Sequence, residues 1–229
     1  VEDIVVEIHT SDGRIGRGEA PPTAAVTGET LGSIEAALRG HIAPALAGRD
    51  VAGLEDALVA IDHSIVGNSS AKAAAEIAVW DLYSQNCGIP LYKLLGGSRN
   101  TLVTDITISV NAPEVMAKDT ADALARGYET LKIKVGENPA LDLARLKAVR
   151  AAAPDATIRI DANQAWTPRQ AVRLLENMQA EGLNIELVEQ PVKAKDLDGL
   201  QFVTANSPVP VLPAESMFSP ADGLKILQL

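Results

Sequence analysis

From Thr101 onward the chain repeats one unit, a short apolar strand followed by an amphipathic helix, and this repeat restricts the fold more than any other feature. The strands read TDITISV, TLKIKV, TIRID, IELVE and VPVLP. One marker residue per strand gives the period: Lys134 to Asp161 is 27 residues, Asp161 to Glu189 is 28, and Glu189 to Ala214 is 25. Strands this apolar, joined by connections of this length, predict a parallel sheet covered by helices, either a (β/α) barrel or an open doubly wound sheet. Three of the helices open on one signal, an N-cap residue followed by proline: Asn138-Pro139, Thr167-Pro168 and Ser219-Pro220. Thr167 with Gln170 adds a capping box. No GxGxxG turn follows any strand, which argues against a dinucleotide fold. The repeat supplies about five βα units, whereas a (β/α)8 barrel has eight.

The first hundred residues have a different rhythm. IVVEIHT, the turn SDG and RIGRGEA read as a β-hairpin. A loop, PPTAAVTGET, leads into three helical stretches between Thr30 and Leu95. Two domains are therefore expected, an α+β domain over 1–100 and a partial barrel over 101–229. The chain carries 30 acidic against 20 basic residues, a net charge of −10, with no basic stripe, so nucleic acid is excluded as a partner. No apolar run approaches the ~18 residues of a membrane span. No signal peptide opens the chain, though an upstream segment could have carried one. Cys87 is the single cysteine, which excludes an internal disulfide and predicts a reducing, cytoplasmic compartment. Cys87, His9, His41 and His63 share no spacing and read as structural or surface residues.

Active sites of parallel α/β folds gather at the carboxyl ends of the strands. Those ends carry Lys132 and Lys134, then Asp161, Glu189 and Ala214. Lys132 and Lys134 lie two apart and share a face of their strand. Two adjacent ammonium groups disfavour each other's protonation, which helps keep one lysine as a neutral base. Carboxylates from two successive strands can hold a hard divalent cation such as Mg²⁺. A lysine beside such a cation can remove a proton next to a carboxylate while the metal holds the resulting enediolate. Structural alternatives stand beside each reading. The lysines could flank an edge strand, Asp161 could cap a helix, and Glu189 could be an ion-pair partner, with Glu186 a competitor on the same strand.

TLKIKVG, RIDANQAW and ELVEQPV, in this order and spacing, resemble the enolase superfamily in its muconate-lactonizing branch. EAPPTAAVTGET and TDITISVN are similar to the dipeptide epimerases, the L-Ala-D/L-Glu epimerase group, and the likeness covers essentially the whole chain. The resemblance implies an α+β capping domain, here without its first strand, and a (β/α)7β TIM-like barrel, of which about the first five βα units are present. It further implies one Mg²⁺ and 1,1-proton transfer at the α-carbon of a dipeptide or N-acyl amino acid. By position, Lys134 is implied as the acid/base with Lys132 tuning its charge, Asp161 and Glu189 as metal ligands, and Asn163 as a supporting residue. Thr23, Thr27, Gly28 and Thr30 fall in a loop implied to be the substrate flap. Members of the family commonly assemble as homo-oligomers.

Two departures qualify this reading. The third metal carboxylate of the family, the Asp of an ADES-like segment, is Ala214 in PAES. Strand alternation turns Glu215 away from that face, so it substitutes only if the strand end bends; otherwise water fills the position. The family's opposite-face lysine belongs to a sixth strand that these residues do not include. Alternatives are a cycloisomerase, an o-succinylbenzoate synthase-like dehydratase, or a catalytically silent relative that binds a small acidic ligand or serves as a structural subunit.

Overall fold

Strands β1 (Ile4–His9) and β2 (Ile15–Ala20) pair antiparallel from Ile4↔Ala20 to His9↔Ile15, as the alternation in IVVEIH requires. The computed structural model describes residues 2–229, which divide into two compact units at Leu102/Val103.

In the first unit the hairpin packs on a helical layer. Helix α1 (Leu31–Ala37) runs through a π-helical turn at Leu38–Ile42 into α2 (Ala43–Leu46). The wide turn lies just before Pro44, whose ring and missing N–H do not fit regular helical pairing. Helices α3 (Leu54–Ser64), α4 (Ser69–Cys87) and the short α5 (Leu91–Leu94) follow. Small residues set the hairpin–helix distance: Cβ atoms added at Gly16 and Gly18 would lie 2.1 and 1.9 Å from the carbonyl oxygens of Ala78 and Ala74. Alanines 71, 74, 75 and 78 on the facing side of α4 are all buried.

The end of the loop before α1 is tied down from outside. Glu29 is 6% exposed and its carboxylate accepts from the Ser70 and Ala71 N–H groups and from Ser69 Oγ. It thereby caps α4, whose own N-cap residue Asn68 makes no capping bond. Thr30 is the N-cap of α1 and exchanges bonds with Ser33. Thr23 O accepts from Val26 and Thr27 N–H, closing a turn within the loop.

The second unit alternates β3 (Ile106–Ile108), α6 (Pro113–Ala125), β4 (Thr130–Lys134), α7 (Pro139–Ala152), β5 (Thr157–Asp161), α8 (Pro168–Ala180), β6 (Ile185–Glu189), α9 (Leu197–Asn206), β7 (Val211–Leu212) and α10 (Pro220–Leu227). The five strands are parallel and lie in chain order, β3-β4-β5-β6-β7. Order without reversal is that of a barrel wall; a doubly wound sheet changes direction at a switch point. Leu131, Ile133, Ile158, Ile160 and Val188 face the helices and are fully buried, so the alternate residues face the other side of the sheet. Asn138 and Ser219 cap α7 and α10 as their Asn-Pro and Ser-Pro pairs imply, and Gln170 reaches back to Thr167. The last strand is shorter than VPVLP suggests and ends at Leu212, before Ala214 is reached.

A buried ion pair ties two strand-end loops together. Asp142 and Arg145 of α7 bond at 2.9 Å. Asp142 also accepts from Gly136 N–H after β4, and Arg145 donates to Asn111 O after β3. Gly136 has φ +114°, and a Cβ there would meet Ala165 at 2.5 Å, so glycine is needed at this turn.

The Glu29 cap gives a pH expectation. Burial pushes its carboxyl up, but the N–H donors of Ser70 and Ala71 outweigh burial and hold it below its ordinary value of 4.5. A carboxyl lowered on folding contributes stability above its unfolded pKa and loses it as pH falls through the folded value. Glu29→Gln should therefore flatten the acid limb of stability against pH below about 4.5. Thermal melts of both forms across that range check this; parallel acid limbs would contradict it.

Candidate functional site

Register brings the charged residues into one row. Lys134 pairs with Asp161, Asp161 with Glu189, and Glu189 with Leu212. An irregularity between Ile158 and Arg159 makes this possible: Ile158 pairs with Ile185 but Arg159 with Leu187, so Glu186 is the extra residue. Without that slip Glu189 would not sit beside Asp161.

The side chains meet at the carboxyl ends of the strands. Lys132 Nζ lies 2.9 Å from Asp161 Oδ2 and 2.6 Å from Glu189 Oε2. Lys134 Nζ lies 2.7 Å from the same Asp161 oxygen and 2.7 Å from Asn163 Oδ1. Asp161 is 1% exposed, while Lys132, Lys134 and Glu189 keep 21, 30 and 19% of their side-chain surface. Glu186 stays outside the cluster, pairing with Arg159, which also bonds Asp105 at 3.2 Å. Neither of the competing roles for Asp161 and Glu186 therefore displaces the cluster.

Adjacent ammonium groups should lower each other's pKa, and desolvation also pulls Lys132 down. Its bonds to Glu189 and Asp161 outweigh both, and Lys132 is raised above its ordinary value. Burial pushes Asp161 up, but its bonds from Lys134, Lys132 and the Asn163 N–H hold it below the ordinary value. Lys132 thus bridges the two carboxylates.

A correction concerns the segment after β7. Ala214 lies in the bend beyond the strand and Glu215 in the following turn, so strand alternation no longer governs their direction. Glu215 Oε1 accepts from Asn163 Nδ2 at 3.1 Å. A chain of bonds thus runs Lys134–Asn163–Glu215. Among the described residues, no three His, Cys, Asp or Glu side chains converge closely enough to hold a metal ion as they stand.

Two glutamines missed in the sequence reading shape this region. Gln190 is fully buried with φ +37°. Its Oε1 accepts from the Ala214 and Ser216 N–H groups at 2.8 and 3.1 Å, and its Nε2 donates to Val192 O and Ser216 Oγ. Gln164, with φ +69°, accepts from Ala194 N–H through its side chain and donates its own N–H to Gln190 O. The signal was present in DANQ and EQP, where a glutamine stands within three residues of a strand end. Thr23, Thr27, Gly28 and Thr30 belong to the first unit.

Comparison with known proteins follows the same division. Residues 2–96 match the model described as mandelate racemase / muconate lactonizing enzyme, N-terminal domain, and residues 115–229 match enolase C-terminal domain-like. The chain belongs to this enolase-superfamily family. Its fold is accordingly the superfamily's, an N-terminal capping domain and a barrel-like parallel-sheet domain. The L-Ala-D/L-Glu epimerase of Clostridium acetobutylicum is 52% identical over 230 residues, covering 100% of this chain and 64% of that protein. The substrate-liganded complex of the Bacillus subtilis L-Ala-D/L-Glu epimerase matches with TM-score 0.95 at 46% identity, over 99% of this chain and 64% of that one. A dipeptide epimerase from Enterococcus faecalis, complexed with Mg and the dipeptide L-Leu-L-Tyr, matches with TM-score 0.92 at 40% identity, over 98 and 63%. The chain therefore spans a little under two thirds of the length of these relatives.

Gln190 offers a direct check on how the region is held. Gln190→Leu strips the Ala214 and Ser216 N–H groups of their buried acceptor and should cost about 2–4 kcal/mol. Gln190→Glu should not rescue it, because a carboxylate oxygen would then face Val192 O. Denaturant unfolding of the two variants measures both effects.

Proposed function

We propose that the protein is a metal-dependent dipeptide epimerase, an isomerase that removes and returns the α-proton of a dipeptide such as Ala-Glu. The observation that carries the reading is the convergence of Asp161 and Glu189, from successive strands, on one cationic nitrogen, with Lys134 beside them. The sequence likeness to named dipeptide epimerases supports the same class. The five strands in chain order support a (β/α)7β barrel, of which they are the first five βα units.

The donor set fits a divalent cation. Asp161 Oδ2 and Glu189 Oε2 already lie within 3 Å of a common positive charge, and all-oxygen ligation is what Mg²⁺ prefers. Asp161 and Glu189 would hold the ion, and Mg²⁺ tolerates few protein ligands because it keeps several waters. Bound there, it would stabilise the negative charge that grows on the substrate carboxylate as the α-proton leaves.

Lys134 is the proton carrier at Nζ. Its bond to Asn163 Oδ1 holds the amine beside the strand ends. Lys132, on the same face, supplies positive charge that restrains the neighbouring carboxylates. Epimerisation needs a proton carrier on each face of the α-carbon. Within β3 to β7 lysine occurs only in β4, so Lys134 accounts for one face. Ala214 favours a second reading, a silent relative that binds a small acidic ligand, because it removes a carboxylate from the site.

Proton NMR of Ala-Glu in D2O with the full-length, Mg²⁺-loaded protein separates the two. Epimerase chemistry is expected to exchange the α-proton, and Lys134→Met should slow exchange by roughly 10²–10⁴-fold. No exchange in the folded parent protein would support the silent relative instead.

A further inference from the structure

The third strand end poses a problem that the two-carboxylate site leaves open. Leu212 stands in register with Glu189 and Ala214 offers no ligand, yet the next residue, Glu215, reaches Asn163 beside the cluster. After β7 the chain does not continue as a strand. Ala214 O accepts from Met217 N–H at 3.0 Å, closing a turn over residues 214–217. The Gln190 amide grips that turn on either side of Glu215, at the Ala214 and Ser216 N–H groups. Ser216 Oγ adds a bond to Ala194 O at 2.9 Å. The residue between the two grips is therefore held in one direction, and its carboxylate lies against Asn163.

Asn163 places Glu215 next to the cluster. Its side-chain Nδ2 lies 3.1 Å from Glu215 Oε1, and its main-chain N–H donates to Asp161 Oδ1 at 3.0 Å. The other oxygen, Glu215 Oε2, is buried and has no hydrogen-bond partner. A buried carboxylate oxygen without a donor is costly. Asn163 links this carboxylate to Asp161 and to Lys134.

We propose that Glu215, presented by the Gln190-clamped turn, supplies the negative charge that Ala214 removed and helps hold the divalent cation at one remove. This deepens the metal-dependent reading above and rests on it. The carboxylates of Asp161, Glu189 and Glu215 do not converge tightly enough to share an ion directly. Mg²⁺ keeps several waters, so a carboxylate need not touch the ion to hold it. Groups that act through a first ligand or a water commonly change metal affinity by about 10- to 100-fold. Gln190 is the positioning residue in this arrangement and Asn163 the link to Asp161.

Calorimetric titration of the full-length protein with Mg²⁺ tests the proposal without reference to turnover. Glu215→Gln keeps the shape and removes the charge, and should weaken Mg²⁺ binding by about 10- to 100-fold. Adding Ala214→Asp to that variant should recover most of the loss. Glu215→Asp keeps the charge but retracts it, and should bind with intermediate affinity; it serves also if the glutamine variant does not fold. Parental affinity in either folded Glu215 variant overturns the proposal. Asp161→Asn distinguishes the two levels of the argument. If it binds Mg²⁺ as the parent does, or if the folded parent binds none, the two-carboxylate reading fails and takes this one with it.

Discussion

Asp161 is almost fully buried and one of its oxygens accepts from two ammonium groups, and the rest of the site is arranged around that fact. A lone buried carboxylate would be expelled or protonated, since burial costs a charge several kcal/mol unless it is paired and hydrogen-bonded. Here Lys132, Lys134 and the Asn163 N–H satisfy it, and its ionised form is favoured over what burial alone would allow. Glu189 shares Lys132 and so belongs to the same charge-balanced unit. A divalent cation entering between the carboxylates would take over the balancing role and release the lysines.

Holding unlike charges together demands a rigid frame, and the frame is built from buried polar side chains as much as from apolar packing. Asp142 and Arg145 bind the loops after β3 and β4. Gln164 and Gln190 bind the loops after β5, β6 and β7 to one another. Each of these groups replaces a backbone partner that a loop lacks, which is how irregular chain can be fixed beside a parallel sheet. The strands set the row, and the glutamines and the ion pair set what stands at its ends.

Much of this was legible in the sequence. The 25–28-residue period, the Asn-Pro, Thr-Pro and Ser-Pro helix starts, and the KIK, RID and LVE strand ends place Lys132, Lys134, Asp161 and Glu189 together. Other features were not legible, for identifiable reasons. Alternation predicts side-chain direction only while a strand lasts, and β7 ends after two residues, so it governs neither Ala214 nor Glu215. Lys132 was read from its neighbour Lys134 alone, whereas the carboxylates across the sheet dominate its charge state. The sequence-distant bonds of Gln190 and Glu29 to loop and helix N–H groups follow no short-range pattern. The Asp161–Glu189 register also depends on a one-residue slip that periodicity does not reveal.

The central claim is that Asp161 and Glu189 form a cation site whose occupant displaces their lysine partners. A crystal structure of the full-length protein loaded with Mn²⁺, located by its anomalous signal, tests this most directly. One ion is expected, bound by Asp161 and Glu189, with the ammonium groups of Lys132 and Lys134 no longer bonded to the oxygens that face it. An ion bound elsewhere, or none with both lysines still paired to Asp161, would contradict it.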